Sequence, residues 1–456
     1  MSDICASVAG YLRLPSAAHR DPAVREHARI LLIDTLACLV AGRVHGATGK
    51  LVSLLRTGGG DALALASGRH MAPAFAVLET GTAIRALDFN DFYWGPGLGG
   101  HPSDMFAAAL VLGEMGGHSL DRVLDAVLAG YDLYIGLLDQ MDPHQAFDHT
   151  TAGAFASAAM AGMLLELDDD ALAHALAMAL ARGPAMAALR QGAISEVKAA
   201  SAALACMNGV LAAEFAGAGL TGPRGAIGGP HGLESFLRRG RRAVDILPPP
   251  DGVPGVMRVA IKRYPCIGTA QAAVAGAVSL HAAVQAHGLK RLTVRLADNP
   301  VVAHQTGEAY RHPTDRETAD HSFYAVMAMA LADGDLTLQQ YARMRWKDDD
   351  IAALTDRFSL AADLPGAVQG RFPAMFKAEL GNGDVLELDQ PLAPGHPESP
   401  LDLSGVLAKF QACAMPELGM EATATAMRKL ADTDGSMGIG EILGWIVPAR
   451  RVEEDA

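Results

Sequence analysis

The chain has 456 residues, of which half are hydrophobic and 19% are charged, and its formal net charge at pH 7 is −14. This composition predicts a large buried core, and the abundance of alanine predicts helices that pack closely, because small side chains let helix axes approach one another. The acidic balance argues against a nucleic-acid or anionic-membrane partner, since both need an excess of lysine and arginine.

The cysteines and the N-terminal segment indicate a reduced, cytoplasmic protein. The five cysteines are widely spaced and contain no CxxC pattern, so neither a disulfide framework nor a zinc site is predicted. The first fifteen residues lack the charged and apolar regions of a secretory signal. The most apolar windows are interrupted by Thr, Glu or His, which argues against a membrane span.

Helices are predicted for most of the first 250 residues. Asp21-Pro22 supplies an N-cap with proline at the first helical position, and apolar residues then recur at helical spacing. The sequence contains no internal repeat. Helices are expected over residues 22–55, 72–86, 105–115, 120–139, 152–167 and 168–181 and from Lys198 to about 216.

The stretch from residue 85 to residue 114 breaks the helical pattern. Asp88 and Asp91 precede a glycine-rich run over residues 95–100, and His101 follows it. Glycines break a helix and let the backbone approach a neighbour closely, while carboxylates and a histidine are the residue types of acid–base chemistry. Ser103 or Asp104 is expected to be the N-cap of the helix over 105–115.

Two later segments collect polar residues beside buried helices. The loop over residues 142–151 contains two histidines, including His149, and two aspartates, beside a threonine pair that can cap the next helix. Residues 182–202 contain Arg190, Ser195 and Lys198. The glycine-rich loop over residues 217–232 lacks the order of a phosphate-binding loop, so a nucleotide site is not predicted.

The proline and glycine cluster at residues 248–252 marks a domain boundary. Beyond it, strands are expected over residues 256–263, 291–296 and 385–388, with helices over 269–286, 320–332 and 338–342, which makes this region α+β. Helices over 404–414 and 422–430 are expected to pack back on the first body. The predicted domains are therefore a discontinuous all-α domain over residues 1–250 and 402–456 and an α+β domain over 251–401.

Nine residues in these segments are candidates for a site. Taken singly, each histidine is more typical of a core or cap residue and each lysine of the surface, while each aspartate is as consistent with a helix cap as with a site. Together they form an acid–base set with cationic anchors, and no dinucleotide, zinc-protease or serine-nucleophile motif accompanies them. The set is Asp88, Asp91, His101, His149, Lys198 and Lys262, with Arg190, Arg263 and Tyr324 behind them.

Six segments, taken in order, resemble the signatures of the MmgE/PrpD family, which comprises 2-methylcitrate dehydratase, cis-aconitate decarboxylase and iminodisuccinate epimerase. The resemblance implies a mainly α fold with a large helical domain and a smaller α+β lid domain. It also implies an active site between the domains, a homodimer and no required metal. The segments are ALDFNDFYWGPGLGGHPSD, DHTTAGAFASAAMAGMLLELD, RQGAISEVK followed by GLTGP, IKRYP, RETADHSFYAVMAMALADG, and PLAPGHPESPL followed by Lys409-Phe410.

The resemblance also assigns residues. Asp88, His101, His149, Lys198 and Lys262 match the family's pocket positions and are the expected catalytic residues, and Tyr264-Pro265 match the pattern that follows the second lysine. Four positions depart from the family pattern, namely Phe92, Ser201, Gln271 and Ala325, with Tyr324 one position early. The expected substrate-binding residues are Asp91, Phe92, Arg190, Arg263, Tyr264, Gln271 and Tyr324.

The function expected from the resemblance is a cofactor-independent dehydratase acting on a small hydroxy di- or tricarboxylate such as 2-methylcitrate. Asp88 would orient or tune a histidine, and His101 and His149 would act as base and acid in either order. Epimerisation or decarboxylation of a related polycarboxylate, or a catalytically silent ligand-binding protein, are the alternatives.

Overall fold

The computed structural model divides the chain into two compact units, Met1–Val259 with Asp402–Ala456, and Ala260–Leu401. Within them it describes residues 4–13, 16–55, 59–142, 147–182, 184–190, 195–223, 225–226, 228, 231–237, 252–365 and 370–447. The predicted fold class is confirmed: the protein is mainly α, with a discontinuous helical domain and a smaller α+β domain.

The first unit is built of helices that pack at short distance. Its helices are α1 (Ile4–Arg13), α2 (Pro22–Gly42), α3 (Gly46–Leu54), α4 (Pro73–Arg85), α5 (Phe106–Met115), α6 (Leu120–Gln140), α7 (Thr150–Leu164), α8 (Asp169–Arg182) and α9 (Val197–Gly217). A short antiparallel pair of strands, β1 (Ala62–Ala64) and β2 (Arg69–Met71), precedes α4. After the second unit, the chain returns with α16 (Leu403–Leu418), α17 (Met420–Ala431) and α18 (Ile439–Leu443).

Small residues let the central helices approach. Helix α9 packs against α7 and α4, and α16 packs along α2. A side chain at Gly209 would place its Cβ 2.6 Å from the Ala154 carbonyl oxygen, so glycine is required at that crossing of α9 and α7. The alanine and glycine content of these helices therefore sets the density of the core that supports the site.

Local details of this unit differ from the sequence-based expectations. The helix predicted over residues 22–55 is two helices, because α2 and α3 meet at an angle of 78°. The predicted N-cap role of Ser103 and Asp104 is wrong: Met105 occupies the N-cap of α5 without a side-chain hydrogen bond, after a 3₁₀ turn, Pro102–Met105. Both side chains are instead engaged in the buried polar cluster described below.

Helix α9 is long and apolar enough by composition to cross a membrane. Half of its most apolar window is buried against other parts of the protein, and the core helix of a globular domain meets the same criteria. Its packing against α4, α7 and α8 accounts for the apolar composition.

The second unit is a four-stranded sheet with helices. Its strands are β5 (Leu289–Ala297), β6 (Phe358–Leu364), β7 (Ala374–Leu380) and β8 (Val385–Gln390), in the spatial order β6-β5-β7-β8; β5 and β6 are parallel and the other pairs are antiparallel. Helix α10 (Gln271–His287) packs on β7, β8 and α13 (Phe323–Asp333). The shorter helices are α11 (Pro300–Gln305), α12 (Arg316–Ala319), α14 (Leu338–Ala342) and α15 (Asp349–Thr355).

The strand predicted over residues 256–263 is wrong. Its first part is a 3₁₀ turn, Gly255–Arg258, that packs on α2 and α6 of the first unit. The Gly255 N–H donates to Asp132 Oδ1 at 2.6 Å. The first unit therefore extends to Val259, whereas the sequence places the boundary at 250; the proline cluster at 248–251 lies outside the described residues.

Candidate active site

The glycine-rich stretch forms a short hairpin beside helix α6. Its strands, β3 (Tyr93–Trp94) and β4 (Gly99–Gly100), pair antiparallel. A Cβ at Gly97 would collide with the Leu138 carbonyl oxygen, and one at Gly100 would collide with the Tyr134 hydroxyl. These two glycines therefore permit the close approach to α6 that places His101 directly after the hairpin.

Asp88 lies among three cationic or ionisable groups of the first unit. Its Oδ1 accepts a hydrogen bond from Arg85 Nη1 at 2.6 Å and lies 3.7 Å from His101 Nε2. Its Oδ2 lies 3.5 Å from Lys198 Nζ. All four side chains are buried. A carboxylate in this setting holds two basic side chains in fixed positions.

The backbone at Asp88 adopts a conformation that is uncommon for residues other than glycine. Its φ is +49°, directly after the end of α4, and its N–H donates to the Arg85 carbonyl oxygen at 3.1 Å. Aspartate tolerates this left-handed region better than most residues, but the conformation still has a cost that the surroundings must offset. This conformation occurs at the position where the Asp88 carboxylate contacts Arg85, His101 and Lys198.

Asp91, a predicted substrate-binding residue, is engaged in internal hydrogen bonds. Its carboxylate accepts from the Ser103 N–H at 3.0 Å, from Ser103 Oγ at 2.6 Å and from the Tyr131 hydroxyl at 2.9 Å. Burial raises the pKa of Asp91 to about 7, although these hydrogen bonds oppose the rise. In the structure Asp91 fixes the two ends of the hairpin relative to α6; binding of substrate by this residue stays a prediction.

A second buried carboxylate, Asp104, lies behind Asp88. Its Oδ1 accepts from Asn90 Nδ2 at 2.8 Å and lies 3.8 Å from Arg85 Nε. Burial raises the pKa of Asp104 to about 6, and the Arg85 charge and the Asn90 hydrogen bond oppose that rise. Arg85 therefore lies between two acidic residues, which explains how a fully buried guanidinium is stabilised.

The two site histidines are joined through one tyrosine. The backbone N–H of His101 donates to the Tyr134 hydroxyl at 3.2 Å, and that hydroxyl lies 2.8 Å from the ring nitrogen Nδ1 of His149. The two imidazole rings are 5.7 Å apart at their centroids. His101 Nδ1 donates to the Asp91 carbonyl oxygen at 2.6 Å. Loop and helix thus hold the two rings edge to face in one buried cluster.

His149 is buried and its Nε2 has no hydrogen-bond partner among the described residues. The nearest acidic atom is Asp148 Oδ1 at 3.9 Å. Burial lowers the pKa of His149 to about 3; Arg190 and Arg85 add to the lowering, and Asp148 and Asp88 oppose it. The ring is therefore neutral near pH 7, and its Nε2 can form a hydrogen bond with another group.

Arg190 forms an ion pair with Asp148, the residue that precedes His149. Arg190 Nε and Nη2 donate to the two oxygens of Asp148 at 2.6 and 3.3 Å, and the Thr150 N–H and hydroxyl donate to Oδ1. Burial alone would raise the pKa of Asp148, but the His149 ring, Arg190 and Thr150 hold it well below its usual range. Asp148 rather than the predicted threonine pair caps α7, whose N-cap is His149. His144, the other histidine of the loop over residues 142–151, and residues 191–194 lie outside the described part of the chain.

Lys198 and Phe92 complete the described surroundings. Lys198 lies in the first turn of α9, is 5% exposed, and its carbonyl oxygen accepts from Ser201 Oγ at 2.8 Å. Ser201, one of the four departures from the pattern of the resemblance, thus bonds to the backbone of its own helix. The Phe92 ring lies 6.3 Å from the His101 ring and 6.2 Å from Trp94, which gives this side of His101 an apolar neighbour.

In the second unit, Gln271 shapes the segment that follows Lys262. Its Oε1 accepts from the N–H groups of Arg263 and Tyr264, both at 3.1 Å, and its Nε2 donates to the Tyr264 and Cys266 carbonyl oxygens at 2.8 and 3.2 Å. Both ends of the amide are therefore used to hold backbone. Substrate binding by Gln271 stays a prediction.

The remaining predicted residues of the second unit also have internal contacts. Arg263 donates to Asp335 at 3.1 Å and lies over the Tyr264 ring at 5.1 Å. The Tyr324 hydroxyl donates to the Thr306 carbonyl oxygen at 3.1 Å, and Arg311 lies over its ring at 4.3 Å. Lys262 is buried, with 1% exposure.

Sequence reasoning missed three contributors to the cluster. Arg85 and Asp104 were hidden because a helix end and a presumed cap are ordinary places for charge. Tyr134 was hidden in the middle of an apolar helix, where a tyrosine normally indicates core packing. The only signal for it was its spacing of three residues from Tyr131, which places both hydroxyls on the same side of α6.

Cavities also lie elsewhere in the described part of the first unit, among them the following two. One of about 460 Å³ is lined by residues of α1, α6, α7 and α8, and one of about 370 Å³ is lined mainly by apolar residues near the start of α7. In the first, Arg13 pairs with Asp169 at 2.5 Å and His19 with Asp132 at 2.8 Å, so these polar groups already have partners. The cluster around Asp88 and His149 is the better candidate for chemistry, because His149 Nε2 has no such partner.

Comparison with protein-family models gives two matches that together span most of the chain. The MmgE/PrpD N-terminal domain matches residues 6–244, which include Asp88, His101, His149 and Lys198. The MmgE/PrpD C-terminal domain matches residues 264–432.

Proposed function

The chain belongs to the MmgE/PrpD family, and from that premise we propose that it is a cofactor-independent hydro-lyase acting on a small hydroxy di- or tricarboxylate of the 2-methylcitrate type. Members of this family are generally enzymes, among them dehydratases and related lyases. The observation that carries the proposal is one buried carboxylate, Asp88, held within 3.7 Å of His101 and 3.5 Å of Lys198, beside the unpartnered Nε2 of His149.

The chemistry needs a base next to an acidified carbon. Removing a proton from the carbon beside a carboxylate places negative charge on that carboxylate, and a fixed cation in a buried site stabilises the charge as it develops. Lys198 supplies such a cation, and a histidine supplies the base. Lys262 is the second cation that the resemblance predicts.

The neutral state of His149 supports a role in contacting substrate rather than in an ion pair. A buried, uncharged imidazole with an unused nitrogen costs free energy unless a ligand satisfies it, on the order of 1–3 kcal/mol for a polar group. A hydroxyl or carboxylate oxygen of the substrate would satisfy this nitrogen. Phe92 beside His101 favours a substrate with a small alkyl group on that side, which 2-methylcitrate carries and citrate lacks.

The test is to incubate the purified full-length protein separately with 2-methylcitrate and citrate and to follow the ultraviolet absorbance of an unsaturated product. Absorbance that grows with 2-methylcitrate faster than with citrate supports the proposal. Each other outcome identifies a different reading. Solvent deuterium in recovered substrate without absorbance indicates epimerisation, and carbon dioxide release from an unsaturated tricarboxylate indicates decarboxylation. A rise in melting temperature without turnover or exchange indicates a ligand-binding protein.

We also propose a homodimer and a cytoplasmic location. The outward face of α9 supports the dimer, because Val197, Leu204 and Phe215, at helical spacing, are 47%, 39% and 36% exposed. Light scattering on the purified protein tests it: a mass near twice 47.5 kDa is expected, and Leu204→Glu should reduce it toward the monomer.

A further inference from the structure

The Tyr134 hydroxyl lies at the centre of the cluster. It is buried in the middle of α6 and lies within hydrogen-bond distance of both histidine segments. Gly100 is required beside it, since a Cβ at that position would collide with the hydroxyl. The absence of a side chain at Gly100 therefore leaves space for this hydroxyl between the two candidate acid–base residues.

The hydrogen-bond pattern fixes which atom of His149 carries hydrogen. Tyr134 Oη accepts from the His101 backbone N–H, so its own hydrogen needs a different acceptor, and among the described residues His149 Nδ1, 2.8 Å away, is the acceptor within reach. Burial raises the pKa of Tyr134 well above 10, so this hydrogen is retained. A neutral His149 that accepts at Nδ1 carries its hydrogen on Nε2.

The same reasoning gives the opposite form for His101. The Asp91 carbonyl oxygen can only accept, so His101 Nδ1, 2.6 Å away, is the donor. In the neutral ring the lone pair is then on Nε2, 3.7 Å from Asp88 Oδ1. A proton gained at this nitrogen would be stabilised by the Asp88 carboxylate.

We propose that Tyr134 is a positioning residue that holds His149 as a neutral hydrogen-bond donor through Nε2, and that His101 Nε2 is the base of the site. The catalytic meaning of this assignment rests on the proposed function, whereas the assignment of the two ring forms does not. It divides roles between two histidines that the sequence leaves interchangeable.

The proton balance of the proposed reaction follows. The bond between the α-carbon and its hydrogen breaks, the proton goes to His101 Nε2, and the electron pair spreads into the neighbouring carboxylate. His149 gives up no proton; its N–H bonds to an oxygen on which charge develops. In dehydration, His101, now an imidazolium, gives its proton to the departing hydroxyl, which leaves as water with the C–O bonding pair, while the pair from the broken C–H bond forms the carbon–carbon double bond. In epimerisation, the proton returns to carbon and remakes the C–H bond.

The test is nitrogen-15 spectroscopy of histidine side chains in the full-length protein. Two-bond correlations between ring hydrogens and ring nitrogens report which nitrogen carries the proton, and comparison with His149→Gln identifies the His149 signals among the 16 histidines. At pH 7 the wild type is expected to show neutral His149 with hydrogen on Nε2. Tyr134→Phe removes the donor, and the His149 Nδ1 resonance is expected to move toward that of a ring nitrogen without a hydrogen bond.

Tyr131→Phe is the matched control. It removes a buried hydroxyl three positions earlier on the same helix, but that hydroxyl donates to Asp91 and does not contact His149. Its His149 spectrum should match the wild type. A wild-type spectrum with hydrogen on His149 Nδ1 would overturn the proposal, and this result can be read even if Tyr134→Phe does not fold. A His149 Nδ1 resonance that is unchanged in a folded Tyr134→Phe protein would overturn it as well.

Kinetics supply the second measurement. With an active polycarboxylate substrate, Tyr134→Phe should lower kcat about 10-fold and leave KM within about twofold, since the donor is misplaced while the substrate's charged contacts remain. A higher KM with an unchanged kcat would contradict a role in positioning His149. The predicted ring forms without turnover on any polycarboxylate would count against the proposed function alone, because the spectra require no substrate.

Discussion

Lys409 donates a hydrogen bond from Nζ to the Phe89 carbonyl oxygen, 2.7 Å away, across 320 positions of the chain. The same ammonium pairs with Asp34 at 2.6 Å and lies 3.8 Å from the centroid of the Phe89 ring. Helix α16, which the chain forms only after completing the second unit, therefore fixes the residue that follows Asp88. The return of the chain to the first unit thus supports the geometry of the site as well as the core.

Lys409→Met should destabilise the protein strongly. It leaves the Asp34 carboxylate buried without its cation, and breaking a buried ion pair from one side costs about 3–5 kcal/mol. A lower midpoint of thermal unfolding is expected. Adding Asp34→Asn should recover a large part of the loss, and Lys290→Met at an exposed position of β5 should change stability by less than about 0.5 kcal/mol. Equal midpoints for the wild type and Lys409→Met would refute this account of the ion pair.

Asp88→Asn should reduce turnover by at least ~100-fold with the fold retained. Asparagine also tolerates a positive φ, so the backbone at this position can remain, but the charge that holds His101 and Lys198 is lost. The rate of product formation or of deuterium exchange into substrate measures the effect, with circular dichroism as the check on folding. Asp88→Ala should in addition lower the melting temperature, and a folded Asp88→Asn protein with wild-type rates would remove Asp88 from the mechanism.

Asp91 should make stability depend on pH in a predictable direction. Burial raises its pKa in the folded protein to about 7, above its ordinary value, so the folded state binds the extra proton. The stability that this proton contributes is present below the ordinary pKa of an aspartate and is lost as the pH rises through about 7. The wild type should therefore lose stability relative to Asp91→Asn between about pH 4 and pH 8. Unfolding midpoints of the two proteins across that range measure the difference; a constant or opposite difference would show that Asp91 is ionised throughout.

Phe92→Thr should change the preference between substrates more than it changes kcat. The variant replaces an apolar ring beside His101 with a hydroxyl, so the KM for citrate should fall relative to that for 2-methylcitrate. Phe92→Leu, which stays apolar, is the control for lost packing and should keep the wild-type preference. If Phe92→Thr and Phe92→Leu prefer the same substrate, the ring does not face the substrate.

The sequence predicted the helical elements of the first unit well because their patterns are long and local. It identified Asp88, His101, His149 and Lys198 as candidates, partly through the resemblance. It could not predict that the Lys409 ammonium reaches Phe89 or that Tyr134 joins two histidines, because these contacts depend on how distant helices pack.

Strands β6 and β7 were missed for a different reason. The exposure of β7 alternates along the strand, a period of two that its sequence, AMFKAEL, contains. Alanine, glutamate and leucine favour helices when they are considered alone, so local propensity obscured the alternation. The turn at residues 255–258 was mistaken for a strand because its apolar residues pack on α2 and α6 rather than in a sheet.

The most direct test of the central claim, that this buried cluster moves a proton beside a substrate carboxylate, is the turnover of His149→Ala and Lys198→Ala with the polycarboxylate that the wild type converts. Each variant removes one polar group from the cluster and should lower turnover by at least ~100-fold with folding intact. Wild-type rates in both variants would contradict the account.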